Sequence, residues 1–206
     1  IQRFDGQSVR REMLEAMVAT LDHRGPDANG VELRGSVGLG HTRLSIIDLS
    51  GGVQPMVLED DGLVVTFNGE IFNYIELRQE LIAHGRRFAT TSDTEVLLQA
   101  YAEWGADCVQ HFNGQWAFAV WDARRKKLFL SRDRLGKRPL FYTVSGNTFL
   151  FASEVKAIFA AEPAQAGFAS GAQVFGTAVG NPFAAGPTQA GLGGDDDRRG
   201  IAGPGL

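Results

Sequence analysis

The chain has 206 residues, with 20 Lys+Arg against 24 Asp+Glu for a net charge of −4, and is 44% hydrophobic and 21% charged. That composition excludes wholesale disorder and gives length enough for a sizeable core in one or two domains. The acidic balance argues against a protein whose work is neutralising nucleic-acid phosphate, and the longest apolar run, residues 116–121, falls far short of the ~18 that span a bilayer. The one cysteine, Cys108, can form neither an intrachain disulfide nor a multi-thiolate zinc site. The expectation is a cytoplasmic chain with no nucleic-acid partner and no membrane segment.

In chain order, Val9, Met13, Met17 and Leu21 recur every fourth residue behind Ser8, which predicts an amphipathic helix with Ser8 as its N-cap. Strands follow at 37–39, 43–48 and 63–68, separated by glycines and by the acidic turn Glu59-Asp60-Asp61-Gly62. Helical spacing of Ile71, Tyr74, Ile75, Leu77, Leu81 and Ile82 predicts a second helix ending at Gly85. Ser92-Asp93-Thr94-Glu95 reads as a capping box opening a third helix through Trp104. Residues 115–122, 128–133, 140–144 and 148–152 read as a meander of strands, and Ser153 starts a last short helix. Strands in hairpin groups with helices between the groups favour an α+β sandwich of antiparallel sheets over a doubly wound parallel sheet. Periodicity stops near residue 160. The folded domain is expected at 1–160, and the Gly/Ala/Pro-rich 161–206 reads as linker, disordered segment or sequence displaced from its reading frame.

Several residues admit two readings. Asn68-Gly69 is by composition a hairpin turn, yet the following residues keep helical spacing, so a side-chain amide and a backbone N–H could converge on one oxyanion at a strand-to-helix junction. Asp93 favours a helix dipole or, with Glu70, holds a ligand ammonium. Arg43 is a surface charge on a strand or a bidentate partner for a carboxylate. Arg24-Gly25-Pro26-Asp27 reads as a structural turn, His23 and His41 have no metal spacing, and Ser50-Gly51-Gly52 is a turn without a following helix. Cys108 reads as a small buried hydrophobe rather than half of a dyad with His111. The run Arg124-Arg125-Lys126-Lys127 reads as a solvated hairpin tip, with an anion-binding surface over residues 124–138 as the alternative.

Together and in order, seven segments resemble one family. They are His23-Arg24-Gly25-Pro26-Asp27, Gly40-His41-Thr42-Arg43-Leu44-Ser45-Ile46-Ile47-Asp48, Gly52-Val53-Gln54-Pro55-Met56, Phe67-Asn68-Gly69-Glu70-Ile71-Phe72-Asn73-Tyr74, Ser92-Asp93-Thr94-Glu95, Phe112-Asn113-Gly114 and Ser131-Arg132-Asp133-Arg134-Leu135-Gly136-Lys137-Arg138-Pro139-Leu140. They resemble the glutaminase domain of glutamine-hydrolysing asparagine synthetases, class II glutamine amidotransferases with the N-terminal-nucleophile hydrolase fold. The resemblance implies a four-layer αββα sandwich and L-glutamine as substrate. It implies Arg43 for the α-carboxylate, Glu70 and Asp93 for the α-ammonium, Asn68 and Gly69 for the oxyanion, and backbone at Leu44, Ile46 and Ile47 lining the pocket. It implies no cofactor or metal in this domain, with ATP and Mg serving a synthetase domain that amidates aspartate; a homodimer is left open. In that family a cysteine at the mature N-terminus attacks the amide, its own amine acting as base. The family opens Met-Cys-Gly-Ile, and this chain starts a few residues after that segment, so the expectation is a chain without its nucleophile, a role neither Ile1 nor Cys108 can fill. The alternative is a glutamine-binding or regulatory remnant without catalysis.

Overall fold

Apolar strand segments join into two antiparallel sheets, each covered on one side by helices. The computed structural model describes residues 1–44 and 52–161 and the backbone of 175 and 176. The expected strand residues 45–48, with Ile46 and Ile47 among them, lie outside the described residues, as does nearly all of the tail. One sheet has the order β10-β8-β9-β1-β3-β2, formed by β1 (Gln2–Arg3), β2 (Ala28–Arg34), β3 (Val37–Arg43), β8 (Phe141–Ser145), β9 (Thr148–Ala152) and β10 (Phe175–Gly176). The other has the order β4-β5-β6-β7, formed by β4 (Met56–Leu58), β5 (Leu63–Ile71), β6 (Gly114–Asp122) and β7 (Lys127–Arg132).

Three buried clusters define the layers. Leu14 and Met17 of α1 (Arg11–Ala19) and Ala157 and Ile158 of α4 (Val155–Ala160) pack on Ile1, Leu150 and Ala152 of the first sheet. Leu77 and Leu81 of α2 (Tyr74–Ala83) and Val96, Leu97 and Ala100 of α3 (Asp93–Trp104) pack on Val65, Phe67, Phe118 and Val120 of the second. Between the sheets, Val37, Leu39 and Phe149 meet Val64, Ala119, Trp121 and Leu130. The result is the α+β, four-layer αββα sandwich expected from the sequence.

Local details differ from the sequence reading. The first helix begins after Arg10, and Ser8 does not cap it. β2 replaces an unread stretch, because Gly30 lets its backbone pass close to Gln54, whose carbonyl would stand 2.3 Å from a Cβ there. β3 runs unbroken through Gly38 and Gly40 to Arg43, where side chains of α1 fill the room a Cβ would need. Asn68 and Gly69 lie inside β5, and the junction to α2 comes later, at Phe72 and Asn73. Ile71 belongs to β5, and within α2 Ile75 and Ile82 are about half exposed, so only Leu77 and Leu81 are buried there. Ser92 does cap α3, but Glu95 turns away from the cap to accept from Ala89 N and Thr90 N at 2.8 and 2.6 Å. The expected meander is divided: β6–β7 belongs to one sheet and β8–β9 to the other.

Candidate active site

β5 sets the geometry, since side chains along a strand alternate between its two faces. Val65, Phe67 and Ile71 face the α2/α3 layer, and Val64 faces the other sheet. On that second side follow Thr66, Asn68 and Glu70. Thr66 Oγ1 donates to Gly40 O at 3.2 Å, which ties the strand to β3. Gly69 lies where the backbone must be bare: a Cβ there would stand 2.2 Å from Gln115 O. Arg43, Leu44, Asn68, Gly69, Glu70 and Asp93 line one cavity of about 490 Å³, with His41, Gln54 and Arg138 in its wall. Thus the structure gathers every sequence-predicted site residue it describes.

The His23–Asp27 turn holds Arg43. Asp27 N donates to Arg43 O at 3.1 Å, Pro26 bridges to Arg43, and a Cβ on Gly25 would lie 2.4 Å from Arg43 N. Arg43 is only 9% exposed, not the surface charge its strand position first suggests. The turn is anchored in turn by Glu154, whose carboxylate meets His23 Nε2 at 2.9 Å, Arg24 Nη1 at 3.1 Å and Lys156 Nζ at 3.2 Å.

Electrostatics favour a zwitterion. Burial raises the Asp93 pKa, N–H donors from Ile71 and Thr94 oppose the rise, and the Glu70 charge adds to it. A ligand cation beside the two acids would relieve both the desolvation and the repulsion. Burial, with the Arg43 charge adding, drives the His41 pKa down to about 4, so at neutral pH it brings no charge. Asn68 Nδ2 is buried with no hydrogen-bond partner. An unmet buried donor costs ~1–3 kcal/mol, which an acceptor on a ligand would recover.

Two wall residues escaped the sequence reading. Gln54 carries no role in the sequence reading beyond its place in the Gly52–Met56 segment, yet its side-chain amide bonds both backbone groups of Phe67. Arg138 was read as one of a basic series, yet its Nε is buried and unpartnered. Only the register of β4 on β5 signals the first, and no pattern signals the second. Arg124 and Arg125 behave as the hairpin-tip reading expected: Arg125 pairs with Asp122 at 2.7 Å, and Arg124 reaches Asp61 and the Asp60 carbonyl. Cys108 is fully buried, with its thiol pushed up to about 12 by burial, and the His111 ring stacks on Trp104 at 3.8 Å. Among the described residues no three His, Cys, Asp or Glu side chains group as metal ligands, and no helix is long and apolar enough to cross a membrane.

Comparison with known proteins adds ancestry to this geometry. A family model described as "Glutamine amidotransferase domain" matches residues 2–175. The chain is 50% identical over 152 residues to "Asparagine synthetase [glutamine-hydrolyzing] 3" of Bacillus subtilis (strain 168), an alignment covering 73% of this chain and 25% of that protein. It is 42% identical over 153 residues to "Asparagine synthetase [glutamine-hydrolyzing] 1" of the same organism, covering 74% and 24%. The chain therefore spans about a quarter of the length of these curated relatives. Its fold is also similar to that of a solved glutamine phosphoribosylpyrophosphate amidotransferase from B. subtilis, with a TM-score of 0.65 and 22% identity over 82% of this chain and 43% of that one.

Proposed function

The chain belongs to the glutamine amidotransferase domain family, and on that premise we propose that it is the glutaminase portion of an asparagine synthetase, hydrolysing L-glutamine to glutamate and ammonia. The observation that carries the proposal is the single cavity in which a guanidinium, two carboxylates and an unpaired amide donor meet. Those charges complement a free α-amino acid, and the amide donor adds a place for a developing oxyanion.

Arg43 takes the α-carboxylate as a planar fork, and Glu70 and Asp93 take the α-ammonium. The side-chain amide carbon then lies toward Asn68. Attack by a cysteine thiolate forms a C–S bond and moves the carbonyl electron pair onto oxygen, where Asn68 Nδ2 and Gly69 N–H receive it. Collapse of that intermediate breaks the C–N bond; the nitrogen takes the thiol's proton, carried by the cysteine's own amine, and leaves as ammonia. Water next opens the thioester, giving glutamate and the free thiol. No metal enters these steps. Ammonia passes to a synthetase domain, where ATP and Mg support the amidation of aspartate, and the work is placed in the cytoplasm.

The reading needs a cysteine upstream of Ile1, and sheet register supports where it reaches. β1 is antiparallel to β3 with Gln2 opposite Val37, and antiparallel to β9 with Gln2 opposite Phe149. Residues preceding Ile1 in this register pass Leu39 and then Gly40 to Arg43 on one side, and Phe151 and Ala152 on the other. A cavity lined by Gly40, His41, Asn68, Phe151 and Ala152 lies along that path and shares His41 and Asn68 with the glutamine cavity.

The test joins binding and turnover. Calorimetry of the chain as it stands is expected to detect L-glutamine binding, and the chain prefixed with a cysteine-initiated segment is expected to release glutamate. A folded, prefixed protein that releases none overturns the glutaminase reading; glutamine binding without release then favours a glutamine-binding remnant.

A further inference from the structure

One edge of β5 is filled along its length by β6, with Leu63 opposite Asp122 and Ile71 opposite Gly114. The other edge is closed piece by piece. N–H and C=O groups of every second residue share an edge in an antiparallel strand, so Leu63, Val65, Phe67, Gly69 and Ile71 all present theirs on this side. Leu63 and Val65 meet Leu58 and Met56 of β4. There the backbone ladder ends, and the chain departs toward Gly30 of β2, whose Cβ position Gln54 O and Pro55 crowd.

At the next site the Gln54 side chain replaces the departing backbone. Phe67 N donates to Gln54 Oε1 at 2.6 Å, and Gln54 Nε2 donates to Phe67 O at 3.0 Å. The register that places Met56 opposite Val65 would place Gln54 opposite Phe67, so the amide reproduces the paired contacts of a neighbouring strand. At the far end, Ile71 N donates to Asp93 Oδ2 at 3.2 Å. Gly69 lies between these two closures and lines the cavity. Gln54 Nε2 also reaches Thr94 Oγ1 at 3.4 Å, beside Asp93.

We infer that Gln54 is a positioning residue for glutamine hydrolysis: its amide stands in for a strand at Phe67 and so fixes the Asn68–Gly69 donor pair against the carbon under attack. The inference rests on the glutaminase reading. Gln54 acts through Phe67, one residue before the oxyanion pair. Of the groups assigned to the zwitterion, Arg43 is held by the His23–Asp27 turn and Asp93 by the capped start of α3, and only Glu70 shares β5 with the donor pair. Loss of the amide therefore displaces the donors more than it loosens the grip on substrate. Donors of this kind act only at about 2.7–3.1 Å, and a misplacement of ~1 Å can cost ~100-fold in rate.

The experiment uses the protein carrying its amino-terminal cysteine and compares wild type with Gln54→Met, which keeps side-chain length, and Gln54→Glu, which keeps the acceptor for Phe67 N–H. Glutamate release is measured well below each variant's melting temperature. Gln54→Met is expected to lower kcat by about 10- to 100-fold while KM for L-glutamine changes less than about threefold; Gln54→Glu is expected to recover part of kcat. An active wild type with both variants within twofold of it in kcat overturns the inference, as does a loss carried wholly by KM. A wild type that releases no glutamate overturns the glutaminase reading itself.

Discussion

Asn68 is a side chain whose worth to the fold and worth to the reaction point in different directions. Its Nδ2 is buried without a partner, so removing the amide deletes an unmet donor rather than a bond. Asn68→Ala is therefore expected to leave the melting temperature unchanged or raise it slightly, while kcat for glutamine hydrolysis falls by about 10²–10³. Comparing thermal melts with steady-state rates checks both halves, and a variant that loses stability and activity together would mark Asn68 as a structural residue. Asp93 makes a matching case for pH. Because burial and then Glu70 outweigh its N–H donors and raise its pKa, the carboxylate that holds the ammonium is lost at a higher pH than an ordinary Asp would allow. Glutamine affinity is expected to weaken on acidification from above the usual carboxylate range, and Asp93→Asn to bind weakly with a flat profile there. Titration calorimetry across pH reads this directly; a wild-type affinity that holds steady down to the ordinary Asp range would remove the role.

At the level of elements, what could be read from the sequence was what depends on neighbours along the chain. Ser92 before a run of helix formers identifies the start of α3 because capping is local. The continuous apolar runs of β6 and β7 identify two strands because both are buried. β2 was illegible because its exposed Ala28 and Asn29 and its Gly30 carry no alternating apolar signal; it forms because β3 beside it supplies a full ladder from Arg34 opposite Val37 to Ala28 opposite Arg43. The Asn68-Gly69 pair misleads for a related reason. Composition favours a turn there, but both edges of β5 are occupied around it, by β6 on one side and by β4 and Gln54 on the other, so tertiary pairing keeps it extended. The charged residues of the site are recognisable as chemistry, whereas Gln54 and Arg138, though inside the quoted family segments, reach the cavity through long-range placement that no spacing encodes. Local signals thus locate the walls of the cavity, and sheet pairing decides which side chains look into it.

For the whole molecule, three titratable groups held in place by the fold tie its stability to pH. The crossing from β7 to β8 is folded around Asp133: burial pushes its pKa up, but N–H donors of Trp116, Leu135, Lys137 and Arg138 outweigh that and hold it below the usual range. Glu154, at the entry to α4, is lowered to about 2, desolvation being overcome by Arg24, His23 and Lys156. His41, between the sheets, is lowered to about 4 by burial. Each folded pKa lies below its unfolded value, so in each case the unfolded chain takes up the proton first and acid favours unfolding. The windows differ. For His41 the loss begins near the ordinary His value of ~6.5 and is complete near 4, where the folded imidazole also protonates. For Glu154 it begins near the ordinary Glu value of ~4.3 and ends near 2. Asp93 acts with opposite sign, since its raised pKa makes the folded state more favourable as it protonates, which blunts the upper part of the acid decline. The melting temperature is therefore expected to fall in two stages on acidification, shallow from pH 6.5 to 4 and steeper below. His41→Gln should remove the first stage, and Glu154→Gln should flatten the second while lowering stability at neutral pH. Calorimetric melts at half-unit pH steps resolve the stages, and a wild-type profile level from pH 6.5 to 4 would mean that His41 is hydrated enough to protonate in place, and that the space between the sheets is more open than its packing implies.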